Sequence, residues 1–451
     1  MKRNALVTDF TQGNVPRSLL TFALPLYLAN LLQIAYNMAD MVIVGQAMGK
    51  VGLSAVSIGG DITNFLTFFS MGFSGAGQVI IAQLLGEKKS DRLVRFIGSM
   101  ACFLLIFSAL LTVICFLGRD KMLSVMNTPA ESYTEALAYS TVTIGGLVFI
   151  YGYNAVSAIL RGLGDSLHPF LFISLAAILN VLLDAVFVLL WNMGAMGAGL
   201  ATVISQGASF FACLLFLRHH RRELGFAGKS DGYFRPDKEL LCRLVKLGLP
   251  MAIKSASISF SKLFVNSWIN SYGVEVSAFA GIANKLSSVS NLLGNALNMA
   301  GASMVGQNIG AKKYERVTQI LRTVFTISLS LAASISALLL LFPADIFRLF
   351  TSETAVIDIG LEYLPIAVLI FFGSACRAPM NALINGSGNY TANFLTAIFD
   401  GIILRMGLAI LFGLYLGMGY IGFWLGDALA GFTPLVIGTI LYFSGMWKKV
   451  P

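Results

Sequence analysis

Uncharged stretches of about 20 residues recur along this chain, and that is the length an α-helix needs to cross a bilayer. They run over 18–39, 62–86, 96–118, 136–160, 286–311, 323–344, 378–399, 406–426 and 428–447, and 185–217 is long enough to hold the end of one crossing and all of the next. Charged residues are 12% of the chain, against about a quarter in soluble domains. That is too few to cover a soluble surface, so most of the outside faces lipid. Soluble enzymes, nucleic-acid binders and disordered chains are excluded. A β-barrel is excluded too, because its short strands would alternate in polarity at every second residue. The formal charge of +9 reads as loop charge that orients a membrane protein, not as a nucleic-acid surface.

With allowance for charges inside the membrane, twelve spans are predicted, over 17–45, 53–83, 93–118, 132–160, 167–190, 196–217, 241–270, 277–307, 317–342, 357–384, 391–415 and 420–446. The class is all-α integral membrane. If the N-terminus is inside, the inner segments carry 22 Lys and Arg and the outer loops carry four, Lys50, Arg119, Lys121 and Arg348. That asymmetry predicts a multi-pass protein of the cell inner (plasma) membrane with both termini cytoplasmic. The first apolar run lacks a small-residue cleavage site and reads as a retained span. The five cysteines lie mostly inside apolar runs without metal-type spacing, and read as small core residues in a reducing setting.

The chain repeats itself. Gln83, Gly86, Lys88, Lys89 and Arg92 return as Gln307, Gly310, Lys312, Lys313 and Arg316, an offset of 224. Ala158, Gly162 and Gly164 match Ala382, Gly386 and Gly388 at the same offset. Leu24-Pro25 matches Leu249-Pro250, and Met193, Gly194 and Gly197 match Met418, Gly419 and Gly422, at 225. The expectation is two pseudo-symmetric six-helix lobes, an N-lobe at 1–217 and a C-lobe at 241–451, joined by a cytoplasmic linker at 218–240. Six crossings per copy give both lobes one orientation, an arrangement common in transporters with the substrate site between the halves.

Ionisable groups inside a span are costly and usually face the protein interior. The first half has two such acids, Asp40 and Asp184. Tyr36 and Asn180 lie four residues before them, on the same helix faces. Gln33 and Asn37 extend the stripe on the first span, Thr202 and Gln206 lie on the sixth, and Tyr139 and Asn154 on the fourth. Two uses fit this oxygen-rich set. A buried carboxylate near another can take up and release a proton. The same oxygens suit Na⁺, by analogy with other hard cations, with Asp40, Asn180, Asp184 and Thr202 as ligands. Asn180 or Thr202 alone would serve as interhelical glue; two acids with four partners point to function. At offset 224, Asp40 falls on Phe264, Asn180 on Leu404 and Asp184 on Leu408, so ion coupling belongs to the first half. The second half carries Lys254, Lys262, Lys285, Arg377 and Arg405 with Asp400 and Asp427. Asp400 with Arg377 or Arg405 reads as a structural ion pair. The Ser and Asn rows of spans seven and eight suit either a wet cavity or helix packing.

Asp40 with Gly45 and Gly49, Gln83-x-x-Gly86, the run Leu160 to Ser166 with Pro169, Asn180 with Asp184, and Gly194, Gly197 and Thr202 together resemble the multidrug and toxic compound extrusion (MATE) family over nearly the whole chain. The resemblance implies two lobes forming a V and export of organic, often cationic, compounds in exchange for H⁺ or Na⁺. Within the family the DNA-damage-inducible (DinF-like) branch is most similar, and its cation-binding pattern carries over to Tyr36, Asp40, Asn180, Asp184 and Thr202. Gln33, Asn37, Tyr139, Asn154 and Gln206 are candidate substrate or supporting contacts. The sister branch has acids in spans seven and ten, where this chain has Lys254, Lys262 and Arg377. The expected partners are small organic substrates and the bilayer, with no cofactor beyond the coupling ion, no nucleic acid and a monomeric state. The alternative is a flippase for lipid-linked saccharides. An enzyme is not expected: His168, His219 and His220 are the only histidines, all in or beside inner loops.

Overall fold

Lipid offers no partner to a backbone N–H or C=O, so a crossing chain satisfies these groups internally, and a helix does so within one segment. The computed structural model describes residues 6–224 and 237–449, which are helical nearly throughout, with no strand among them. The helices of the first half are α1 (Val15–Gly86), α2 (Ser90–Val125), α3 (Ala130–Gly145), α4 (Leu147–Gly162), α5 (Leu167–Asp184) and α6 (Gly194–His219). Those of the second half are α7 (Lys238–Asn270), α8 (Val274–Gly310), α9 (Tyr314–Leu341), α10 (Pro343–Arg348), α11 (Thr354–Gly386), α12 (Tyr390–Ile398), α13 (Leu404–Ile410), α14 (Gly419–Ala430) and α15 (Thr433–Ser444).

Eight helical stretches are long and apolar enough to cross a membrane, and α3 with α4, bent by 46°, makes a ninth. The predicted spans 17–45 and 53–83 form one helix of 72 residues that breaks at Gly49, where φ is 61°. Its contour of about 108 Å suffices for two crossings of a core about 30 Å thick. α7 and α8 have crossing length, at 33 and 37 residues, but Lys254, Lys262, Lys285 and the Asn row lower their apolarity. Twelve crossing-length segments result.

The repeat is visible in the backbone. Lys88 and Lys312 both take φ 58°, and Gly164 and Gly388 take φ 90° and 68°. Lys88 and Lys89 donate to the carbonyls of Leu85 and Leu84, and Lys312 and Lys313 donate to Ile309 and Asn308 in the same pattern. The offset changes from 224 to 225 at a π-helical turn, Phe399–Ile403, that absorbs one extra residue. The next π turns, Ala185–Leu190 and Leu411–Tyr415, are counterparts.

The chain divides into two compact units, Met1–Asp9 with Leu28–Ala252, and Phe10–Tyr27 with Ile253–Pro451. These bounds depart from lobes at 1–217 and 241–451. The start of α1 packs with the second half, and the start of α7 packs with the first. The two exchange points, 28 and 253, are 225 residues apart. Most of the expected linker, 225–236, lies outside the described residues.

This exchange explains the repeated Gln-x-x-Gly…Arg motif. In the second unit Gln307 accepts the Phe10 N–H at 2.9 Å, and Arg316 donates to the carbonyls of Phe10, Gln12 and Gly13 at 2.6 to 2.9 Å. In the first unit Gln83 accepts from Arg243, and Arg92 pairs with Asp237 and Glu239. Each motif grips the segment that enters α1 or α7, and Leu19, Phe22 and Leu26 then bury against Met304, Val305 and Ile320.

Close packing fixes α13 on α14. A Cβ on Gly426 would lie 2.4 Å from the Ala409 nitrogen, a backbone atom that cannot yield. Gly426→Val should therefore cost about 3 kcal/mol, read as a lowered Tm in detergent. Gly407→Ala, with nothing within 4 Å of the added carbon, should be neutral or slightly stabilising.

Candidate functional site

Four helices of the first unit converge. α1 supplies Tyr36 and Asp40, α3 Tyr139, α5 Asn180 and Asp184, and α6 Thr202 and Gln206. α6 is held at its start by Glu135, whose carboxylate accepts the Ala195 N–H at 2.9 Å. Sequence reading passed over Glu135, although an acid near a helix N-terminus has a favourable dipole partner. Asn180 Nδ2 donates to Thr202 Oγ1 at 3.4 Å, and Thr202 also pairs with Tyr139. The Tyr36 phenol pairs with Gln33 and Gln206. Asp40 interacts electrostatically with Asp184, and Tyr139 with both. The acids from two distant helices thus lie close enough to feel each other's charge.

The decisive property of this cluster is unmet demand. Asp184 is 0% exposed, Asn180 2% and Asp40 8%. Asp40 Oδ1, Asn180 Oδ1 and both Asp184 oxygens are buried with no hydrogen-bond partner. Buried acceptors left unpaired are destabilising, and a buried carboxylate more so. A proton or a small cation satisfies them, so the donor set fits a cation cargo. Of the other sequence candidates, Asn37 is exposed. Asn154 is half-buried on α4, and its side chain makes no hydrogen bond with a described residue.

The MatE family model matches residues 25–186 and again 250–411. The chain belongs to the MatE family. The two matched stretches begin and end 225 residues apart, the offset of the backbone repeat. Among relatives, it is 28% identical over 445 residues to "Probable multidrug resistance protein YoeA" of Bacillus subtilis (strain 168), covering 97% of this chain and 96% of that one. Its fold matches a solved structure titled "Reverse polarity of binding pocket suggests different function of a MOP superfamily transporter from Pyrococcus furiosus Vc1", with TM-score 0.89, 21% identity and full coverage of both chains. It also matches "Outward-facing conformation of a multidrug resistance MATE family transporter of the MOP superfamily", with TM-score 0.87, 22% identity and full coverage of both. The chain is a multi-pass membrane protein of two six-helix lobes.

At the positions equivalent to Asp40, Asn180 and Asp184, the second copy of this MatE repeat leaves no unpartnered side-chain oxygen. Buried Asn180, Asp184 and Val188 correspond at 225 to buried Arg405, Ala409 and Gly413. This corrects the register at offset 224, which set Leu404 and Leu408 there; the turn Phe399–Ile403 inserts the extra residue. On α7, burial likewise places Val265 opposite Asp40, where offset 224 had placed Phe264. Asp427 takes the place of Thr202. The polar pair Asn180–Thr202 is thus replaced by the ion pair Arg405–Asp427. Arg405 also binds Asp400 at 2.8 Å, and Arg377 reaches Asp400 at 3.3 Å. The expected pairing of Asp400 with Arg377 or Arg405 is realised with both. The second copy carries its own fixed cation where the first leaves oxygens open.

Proposed function

We propose that this chain is a cation-coupled antiporter that exports organic, drug-like amphipathic compounds by alternating access, in line with the multidrug-resistance names of its relatives. The observation that carries the reading is the set of unpartnered buried oxygens on Asp40, Asp184 and Asn180. H⁺ or Na⁺ neutralises this set from the outside, α1 repacks around its proline at Pro25, and drug leaves outward. A positive charge entering down the membrane potential supplies about 2.3 kcal/mol per 100 mV. Tyr36, Asp40, Asn180, Asp184 and Thr202 form the coupling site, a pattern that supports placement in the DinF-like branch. The protein works as a monomer in the plasma membrane with its termini in the cytoplasm. The flippase reading gains no support from these relatives.

The test is ethidium transport in proteoliposomes under an imposed pH gradient or an imposed Na⁺ gradient. Export driven by one gradient and abolished by collapsing it is the expected result and names the coupling ion. Export indifferent to both would refute cation coupling.

A further inference from the structure

The first unit holds a further acid inside a predicted span, and the coupling cluster does not use it. Asp61 lies in the span 53–83, on the part of α1 beyond the break at Gly49. The helix between them runs for about 18 Å, which carries Asp61 well into a hydrocarbon core about 30 Å thick. Asp40 and Asp184 are buried, whereas Asp61 is exposed. Among the described residues it makes no hydrogen bond and no ion pair. A lone carboxylate turned to acyl chains is costly, and acids inside spans face protein or water. An exposed one without a protein partner therefore faces water.

Its neighbours share that exposure. Ser57 and Phe65 lie four residues to either side and Asn64 lies three beyond, all exposed, and these spacings put them beside Asp61 on one helix face. The Phe65 ring is braced from behind: it meets Phe69 edge-on at 5.9 Å, and Phe69 meets Phe107 of α2 at 6.3 Å. The open position belongs to the fold. At offset 224 the counterpart of Asp61 is Lys285 of α8, which is exposed as well. Around it the two copies keep one register, since buried Ala55, Val56, Gly59 and Leu66 correspond to buried Phe279, Ala280, Ala283 and Ser290. Both copies leave this position open and fill it with opposite charge.

Size then separates two kinds of cation. A proton or a small metal cation can reach oxygens inside a helix cluster. An organic ammonium cannot touch Asp184, which is 0% exposed. It needs a carboxylate at a water-facing surface with aromatic area beside it. The carboxylate accepts charge-assisted N–H bonds, and an aromatic face attracts the cation or packs on its ring.

We propose that Asp61 binds the ammonium group of an aromatic amine, with Phe65 against the ligand's aromatic part and Ser57 and Asn64 as polar neighbours. The site deepens the transporter reading above and rests on it for its biological use: Asp61 selects cationic cargo, while Asp40 and Asp184 couple its movement.

The experiment reads binding and needs no transport. Purified protein in phosphatidylcholine nanodiscs is titrated by calorimetry with 2-naphthylmethylammonium and with 2-naphthylmethanol, its neutral counterpart, and the signal of empty discs is subtracted. Wild type should bind the ammonium about tenfold or more tighter than the alcohol, and Asp61→Asn should remove that preference, a loss the size of one charge-assisted hydrogen bond. Asp61→Glu keeps the charge and should stay within a few-fold of wild type. Asp120→Asn, at an exposed acid near the end of α2, should bind as wild type does, which separates a contact from a general field. Equal ammonium affinity in wild type and Asp61→Asn overturns the proposal, as does an equal loss in Asp120→Asn or a wild type that binds alcohol and ammonium alike. No gradient is imposed, so this result stands apart from the coupling test: the amine site can fail with gradient-driven export intact, and coupling can fail with the amine still bound through Asp61. Circular dichroism and elution volume confirm that each variant is folded. If Asp61→Asn fails that check, Phe65→Ala provides the second reading, with the ammonium weakened about threefold and unchanged affinity overturning the proposal.

Discussion

Asp184→Asn and Asp40→Asn proteins should fold, insert and fail to export. The substitution keeps the shape of each side chain and removes its capacity to carry charge. Asp184 is fully buried with both oxygens unpartnered, so a neutral amide there makes the environment no harsher, and the Tm should not fall. Coupling depends on a group that is charged in one half of the cycle and neutralised in the other. A permanently neutral group holds the site in one condition, and gradient-driven ethidium efflux in proteoliposomes should drop by at least an order of magnitude, which is a rise of about 1.4 kcal/mol or more in the barrier to the transport cycle. Wild-type efflux from either folded variant would remove these acids from the mechanism. The neighbours then separate the two ions. A proton needs one carboxylate oxygen, whereas a metal cation needs several oxygen ligands together. Asn180→Leu and Thr202→Val, which delete ligands without touching the acids, should abolish export if Na⁺ is the coupling ion. They should leave most of it if H⁺ is.

Much of this architecture was legible because membrane solvent restricts the choices. Uncharged runs of crossing length announce helices, and recurrence of Gln83 through Arg92 at 307 through 316 announces duplication. Asp40 and Asp184 stood out because an acid within a span must have a reason to be there. What stayed hidden was long-range. Nothing in the spacing of Phe10 and Gln307 says that the residues leading into α1 pack with the second half. The repeated Gln and Arg marked the loops, but their task, gripping the next incoming segment, emerges when those segments are placed. The register at Arg405 was legible and missed. The offset is 224 at Gly388 and 225 at Gly419, so one residue had to be inserted between them. The insertion sits in the turn Phe399–Ile403, ahead of the site, and moves Arg405 onto the position of Asn180. Reading the shift from the motifs alone would have exposed the contrast between a copy with open oxygens and a copy with a built-in cation.

That contrast makes Arg405 the residue whose loss should damage the fold most. Its side chain is 2% exposed and joins two carboxylates from different helices, Asp400 and Asp427. Removing one partner of a buried ion pair costs about 3–5 kcal/mol, because the remaining charge keeps its burial penalty without its compensation. Arg405→Leu leaves two such charges, of which Arg377 and Lys262 are placed to compensate in part. The expected outcome is a large fall in Tm and in folded yield from membranes. Arg405→Lys should recover part of this, since a single ammonium lacks the fork that reaches both acids. The decisive variant removes the charges together. Asp400→Asn, Arg405→Met and Asp427→Asn combined with Arg377→Met, Lys254→Met and Lys262→Met, so that no cation is left facing a lost acid, should be markedly more stable than Arg405→Leu, because a buried charge cluster replaced as a whole by neutral groups of similar volume is often close to neutral in stability. If this combined variant is as unstable as Arg405→Leu, the guanidinium acts through its packing volume instead of its charge, and the second copy's fixed cation is not what holds α13 and α14 together.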